Sequence, residues 1–237
     1  MHRFYADLME NGSACLTSED AKHALKVLRL SPGDEVELIS DGCRYRAILR
    51  NDAVLEVKEP LSSTETALRI TLFQGLPKGD KMDWIVQKAV EIGVNRIVPV
   101  RMNRCVVRLS DPDAGKKQLR WSKIAREAGK QSGRCLIPEV SIPVSLREVQ
   151  SMAKELDACI VPWEEAKDSG PLSFMQSHPD IHSLGILIGP EGGIEPSEIE
   201  FLGSAFCPVS LGPRILRTET AGLAAAAAVL AVSGEMG

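Results

Sequence analysis

The sequence predicts an α/β protein in two parts: a small β-rich, barrel-like module over residues 1–68 and a larger domain with a mostly parallel sheet over residues 69–237. Three observations predict it. Short alternating strands joined by hairpin turns dominate the first part. Beyond it, apolar strand-like runs alternate with amphipathic helical stretches, the grammar of a parallel sheet with crossover helices. Two of those runs then end in the same Gly-Pro figure, "LIGPEGG" and, twenty-three residues later, "SLGPRILRTET".

In chain order, a helical stretch over Ser18 to Leu28 precedes the turn Pro32-Gly33-Asp34. "DEVELIS" and "CRYRAILR" are strands joined by Asp41-Gly42, a hairpin signal, and "AVLEVKEP" follows the Asn51-Asp52 turn. "LSSTETA" at 61–67 is a linker. "RITLFQGL" opens the second part as a strand. The next stretch, "GDKMDWIVQKAVEIGV", is a helix with Asp80 as N-cap, an inward stripe of Ile85, Ala89 and Ile92, and Gly93 past its end. "RIVPV" is a strand, and residues 115–132 form a basic helix with Leu119, Ile124 and Ala128 inward. Helix 145–156, strands "ACIVP" and "LGILIG", helix 196–204, strand "PVSLG" and a last helix within 218–233 complete the order. That last helix contains "AGLAAAAAVLAV", whose small side chains permit close backbone packing, either in a core or against a second subunit.

An apolar strand, a glycine turn and a helix start can cradle a phosphate. Here no Lys-Ser/Thr pair follows the glycines, the spacing is not G-x-G-x-x-G, and Glu191 places a negative charge inside the loop. The loop suits a ligand that is locally neutral or cationic, or is a tight turn with no ligand. Pro196 fits a first helical position, and Glu198 and Glu200 fit the positive end of that helix. Ligands of open parallel sheets sit outside the carboxyl ends of the strands. Both Gly-Pro loops occupy such ends and can therefore face one ligand together.

Composition narrows the class. With 25% charged and 44% hydrophobic residues, the chain reads as globular. The most apolar run, Ala221 to Val232, is too short to span a bilayer, and the N-terminus lacks the apolar core of a secretory signal. Six cysteines lie 24 or more residues apart without CxxC spacing, so reduced thiols, a cytoplasmic location and no metal site are expected. The net charge of −4 conceals an asymmetry: residues 77–134 carry 14 basic against 6 acidic side chains, and residues 135–237 carry 5 against 14. A basic middle marks either an anionic partner or a solvated helix face.

"LIGPEGG" with "SLGPRILRTETA" resembles the SPOUT class of S-adenosylmethionine-dependent RNA methyltransferases, and within it the family that methylates N3 of a uridine in 16S ribosomal RNA of the small subunit. "HALKVLRLSPGD" resembles that family's N-terminal PUA-like RNA-binding barrel, and "LPKGDKMDWIVQKAVEIGV" and "RWSKIAREAGKQSGR" resemble its internal signatures, so the likeness covers nearly the whole chain. The departures are Ile194 where an aromatic is usual, Glu195 in place of a small capping residue, and "MNRCVV" in place of a more acidic, Ser-containing segment. The resemblance implies a C-terminal trefoil knot, which periodicity could not suggest. It also implies an obligatory homodimer through the last helix and S-adenosyl-L-methionine as cofactor. The two loops become two walls of one pocket: Leu187, Ile188, Gly189, Pro190, Glu191, Gly192 and Gly193 on one side, and Leu211, Gly212, Ile215, Leu216 and Thr220 on the other.

Methyl transfer to uracil N3 requires loss of the N3 proton, so a base or a cation near O2 and O4 would serve. Arg217 is the first candidate for that cation and Arg214 the second; a structural contact at the knot is the alternative for either. Glu219 is a possible base but better suited to fixing an Arg or starting the last helix, where Thr218 and Thr220 compete as N-cap. RNA contacts are expected from Arg3, Lys22, His23 and Arg29 in the first module and from Lys116, Lys117, Arg120, Lys123, Arg126, Lys130 and Arg134 in the basic middle. The competing functions are a non-catalytic, RNA-binding ribosome assembly factor of the same fold and a nucleotide-binding enzyme.

Overall fold

The computed structural model describes residues 1–9, 11–167 and 169–236. By its contacts the chain divides into two compact units, Met1–Glu65 with Gly129–Leu136, and Thr66–Ala128 with Ile137–Gly237.

The first unit holds a curled five-stranded sheet. Strands β1 (His2–Tyr5), β2 (Ser13–Cys15), β3 (Glu35–Ser40), β4 (Cys43–Leu49) and β5 (Val54–Leu61) lie in the order β1-β3-β4-β5-β2. β1 pairs with β3 in parallel and the other pairings are antiparallel, with a bulge in the β4–β5 ladder where Lys58 of β5 is the extra residue opposite Arg46 and Ala47. The β3–β4 turn is the one expected: Asp41 and Gly42 both take positive φ, 49° and 76°, so the turn's twist matches its strands. Phe4, Ala14, Val36, Leu38, Ala47, Leu49 and Leu55 form the core inside the curl. The helical stretch expected over Ser18 to Leu28 is present and changes pitch partway. Thr17 caps a short α1 (Ser18–Lys22), accepting from Asp20 N, and the chain widens into a π-type turn over His23–Val27.

Four residues distant in sequence join this unit through a buried polar clasp. Arg134 forks onto Glu65, Nη2 to Oε2 2.6 Å, while Glu65 Oε1 accepts from Cys135 N at 2.7 Å and Tyr5 donates to the Arg134 carbonyl. Burial raises Glu65, but the Arg134 guanidinium and the two backbone donors hold its carboxyl below the usual range. Burial pushes the Tyr5 phenol up to about 12.

The second unit is a seven-stranded parallel α/β sheet. Its elements are β6 (Arg69–Gly75), α2 (Lys81–Ile92), β7 (Arg96–Arg101), α3 (Asp111–Ser132), β8 (Glu139–Val140), β9 (Val144–Ser145), α4 (Leu146–Ala153), β10 (Ala158–Pro162), α5 (Pro171–Ser177), β11 (Ser183–Ile188), α6 (Pro196–Leu202), β12 (Cys207–Val209) and α7 (Thr218–Val232). The strand order is β12-β10-β11-β6-β7-β8, with β9 also on β7, and every pairing is parallel. Consecutive apolar residues such as Leu184, Ile186 and Leu187 are fully covered, as expected for strands buried on both faces. Gly93 ends α2 at φ 123°.

One helix assignment needs correction. The buried face of α3 is Ala114, Trp121, Ala125 and Ala128; Leu119 is 63% exposed, and Ile124 is only partly covered. The sequence pattern favoured the larger apolar side chains, whereas the helix approaches closely through alanines and anchors on Trp121, whose Nε1 donates to Asp83 Oδ1. Asp80 does stand at the N-cap of α2, and only the capping bond of its side chain is lacking. Helix α7 is covered through Gly222, Leu223, Ala225, Ala226, Val229 and Leu230. A Cβ at Gly222 would lie 3.1 Å from Leu72 and 3.3 Å from Ile188, so the helix rests almost directly on β6 and β11.

Candidate cofactor site

One cavity of about 750 Å³ opens at the carboxyl ends of β10, β11 and β12. Its walls are the first loop from Ile188 to Ile194, the second from Ser210 to Arg217, and a third segment carrying Pro162, Trp163, Glu164, Ala166 and Lys167, with Lys81, Thr218 and Ala221 completing it. The third wall went unrecognised in the sequence because "ACIVP" carries no glycine signature. Its one available signal was its place at the end of a parallel strand.

The first loop is held rigidly from outside the cavity. A Cβ at Gly75, the last residue of β6, would lie 2.7 Å from Pro190 N, so strand end and loop meet backbone to backbone. Gly193, at φ 75°, donates to the Pro190 carbonyl at 2.9 Å and closes the turn. Behind the loop, Arg104 Nη1 donates to the Gly192 carbonyl at 2.9 Å, and a Cβ on Gly192 would lie 3.0 Å from Arg104 Cβ. Gly192 is therefore small because the chain after β7 passes against it. Asn103 adds two bonds, N to Glu198 Oε1 and Nδ2 to Glu195 Oε2, so Glu195 does begin α6 and is fixed by "MNRCVV".

Lys81 ties this loop to the start of α7, lying 3.0 Å from Glu191 Oε1 and 3.1 Å from Glu219 Oε2. Its bonds to Glu191 and then Glu219 hold the ammonium above its ordinary range. Partial burial raises Glu191, but the N–H groups of Glu191 and Lys78 together with Lys81 bring it below the usual carboxylate range. Glu219 is held low by its own N–H, then by Lys81 and Arg217 against a smaller desolvation effect. Two depressed carboxylates are poor proton acceptors near neutral pH, and Glu219 fixes a lysine rather than an arginine.

The second loop is built differently. Gly212 takes φ 98° and donates to Ser210 Oγ, but among the described residues no acceptor meets the N–H groups of Arg214, Ile215, Leu216 or Arg217. Ile215 is 78% exposed, and both Arg214 and Arg217 are exposed side chains on the cavity wall. Leu211, Gly212 and Leu216 also line it; Leu187 is buried within β11 and Thr220 lies exposed in the first turn of α7, neither of them on the wall. Thr218 is no N-cap, since Arg217 holds that position; its hydroxyl donates to the Gly189 carbonyl at 2.6 Å.

This geometry has close relatives. Residues 64–230 match an RNA methyltransferase domain family and residues 16–52 an RNA methyltransferase PUA domain. The ribosomal RNA small subunit methyltransferase E of Bacillus subtilis is 35% identical, covering 97% of this chain and 96% of that protein. The chain belongs to the RNA methyltransferase family. Among solved structures, a ribosomal RNA small subunit methyltransferase E from Neisseria gonorrhoeae bound to S-adenosyl methionine superimposes with a TM-score of 0.80 at 34% identity over 97% of each chain. A putative methyltransferase from Legionella pneumophila in complex with the same cofactor gives 0.79 at 29% identity, over 97% of this chain and 96% of that one.

In this RNA methyltransferase the expected RNA-facing residues fall into two groups. Lys22, His23, Arg29, Lys116, Lys123 and Arg126 are exposed, and Lys117 is half-buried. The others are engaged within the protein. Arg3 lies 2.7 Å from Glu37, Lys130 lies 3.1 Å from Asp20, and Arg120 is paired with Asp83 and Asp80. Arg134, 4% exposed and forked on Glu65, has no face left for a phosphate, so its charge serves the clasp. Among the described residues no helix is long and apolar enough to cross a membrane.

Proposed function

We propose that this RNA methyltransferase uses S-adenosyl-L-methionine to methylate N3 of a uridine in 16S ribosomal RNA of the small subunit, acting in the cytoplasm as a homodimer. The observation that carries the reading is the convergence of both Gly-Pro loops on one cavity. The residues present fit the cofactor. A volume of about 750 Å³ suits a nucleoside-sized ligand. Ile188, Pro190, Ile194, Leu211, Ile215 and Leu216 supply apolar surface for a purine, and the N–H groups of 214–217, which meet no acceptor among the described residues, supply polar readout. When bound, the cofactor supplies the electrophilic methyl group on its sulfonium.

The protein's own part is alignment and charge. Arg217 and Arg214 both line the cavity with exposed side chains, and either guanidinium stabilises negative charge on uracil O2 or O4 as N3 loses its proton. The curled N-terminal sheet and the exposed cations Lys22, Arg29, Lys116, Lys117, Lys123 and Arg126 hold the RNA backbone. The domain division at residues 68 and 69 and a trefoil knot around the two loops belong to this proposal. So does a dimer interface on α7, where Ala224, Ala227 and Ala228 are only partly covered.

The test is base mapping of 16S ribosomal RNA from a deletion strain, complemented by wild type or by Arg217→Ala. One N3-methyluridine should vanish and return with wild type alone. An unchanged modification profile, with the purified protein binding RNA but no S-adenosyl-L-methionine, would favour the assembly-factor reading instead.

A further inference from the structure

Beneath the cavity a short polar chain runs through an otherwise apolar core. Gln74, the penultimate residue of β6, is 0% exposed among Ile70, Leu72 and Phe73. Its Nε2 donates to Thr218 Oγ1 at 2.9 Å and to the Gly75 carbonyl at 3.1 Å. Thr218, 6% exposed and first in α7, in turn donates its single hydroxyl proton to the Gly189 carbonyl at 2.6 Å. The direction is fixed: an amide nitrogen can only donate, so the hydroxyl must accept from Gln74 and spend its own proton on Gly189. The Gln74 carbonyl oxygen, by contrast, is buried with no donor among the described residues. A buried, half-satisfied amide in a core strand is destabilising, and such a group calls for a reason beyond packing.

What the chain joins supplies the reason. Gly189 begins the first loop, and Arg217, the final residue of the second loop, immediately precedes Thr218. Gly75 already abuts Pro190 with no room for a side chain. Among the described residues the Thr218 hydroxyl is thus the one side-chain hydrogen bond from the start of α7, next to the second loop, into the backbone of the first. We propose that Thr218 is a positioning residue that fixes the two cofactor loops against each other and sets the origin of the Arg217 side chain, and that Gln74 orients its hydroxyl. This rests on the methyltransferase reading above and adds the device that aligns its parts.

The test compares Thr218→Val, which keeps shape and loses both bonds, with Thr218→Ser, which keeps them, and with Gln74→Met, which removes the orienting donor. Three quantities are read: melting temperature, S-adenosyl-L-methionine affinity by calorimetry, and single-turnover methylation of small-subunit RNA at saturating cofactor. Thr218→Val should weaken cofactor binding about fivefold to tenfold, as loss of one buried hydrogen bond does. It should slow the saturated step by about tenfold more, because Arg217 loses its register. Ser should restore most of both, and Met at 74 should follow Val in the same direction. If Val and Met lower the melting temperature yet leave affinity and saturated rate within about twofold of wild type, the chain is packing alone and the proposal fails. Should Thr218→Val not fold, Gln74→Met carries the same decision. A wild-type protein without cofactor affinity would instead sink the methyltransferase reading, a distinguishable result.

Discussion

The two Gly-Pro loops share a sequence figure and a place in the fold, yet they are opposite in construction. The first is braced from behind by Gly75 and Arg104 and tied on the cavity side by Lys81, Asn103 fixes the helix start that follows it, and its own turn is closed by Gly193. Among the described residues, the second leaves four consecutive N–H groups without an acceptor, and it exposes Ile215 to 78%. One loop is a wall whose shape is settled by the protein. In the other, the bonds found among the described residues lie near its ends, and in the proposed function its N–H groups serve a ligand. A pocket made of one rigid and one available wall can be preorganised without having its donors already occupied.

The largest expected effect lies on the available wall. Arg217→Ala should lower single-turnover methylation by roughly 100- to 1,000-fold, the loss typical of one preorganised charge donor, while cofactor affinity changes little. Lysine should rescue only in part, since it lacks the planar fork. Equal losses in rate and affinity would make Arg217 a structural clasp and would erase the functional difference between the loops.

Next comes the rigid wall. Gly75→Ala places a Cβ 2.7 Å from Pro190 N, and backbone cannot step aside cheaply. Denaturant unfolding should show a loss of about 1–3 kcal/mol from overpacking, with cofactor affinity falling in parallel. Full stability together with full affinity would mean that the first loop is as pliable as the second.

Lys81→Met probes the tie between them and should weaken cofactor binding by about two- to fivefold, since its ion pairs are partly solvated. The sign of its pH dependence follows from the shifts. Glu191 and Glu219 are depressed in the folded protein, so their contribution is present above the unfolded carboxylate value and lost as pH falls through the folded ones. Lys81 is raised, so its contribution is lost only as pH rises through its elevated value. Thermal melts of wild type and Lys81→Met should therefore differ by a constant amount between the ordinary carboxylate and lysine ranges, about pH 5 to about pH 10, and the difference should shrink as acid pH falls through the depressed carboxylate values. A difference that persists at acid pH would mean the lysine acts through packing.

The smallest effect is Ile215→Ser, which should leave stability within about 0.5 kcal/mol of wild type, as expected for an exposed side chain, while still reducing cofactor affinity. A marked drop in stability would place the second loop among the braced elements.

Much of this was legible in the chain. The Asp41-Gly42 hairpin, the stop of α2 at Gly93, the start of α6 at Pro196 and the parallel alternation after residue 68 are local signals, set by φ preferences and by side-chain period. The loops themselves were readable because glycine and proline constrain backbone in any context, and their motifs carried the family resemblance.

What stayed hidden depends on contacts between residues far apart in sequence. Nothing local says that Arg134, in a basic run, spends its charge on Glu65, or that Gly192 is small on account of Arg104. Nor does it say that α3 buries alanines and leaves Leu119 in solvent. The chain also does not say that Thr218 ignores its own helix end to reach Gly189. The sequence by itself determined most of the longer strands and helices and the two loops, because periodicity and turn chemistry act over a few residues. Only the tertiary structure decided which charges pair within the protein, which glycines serve packing, and which loop is braced by the chain around it. Pairing and burial are properties of neighbours in space, and along this chain those neighbours lie tens of residues away.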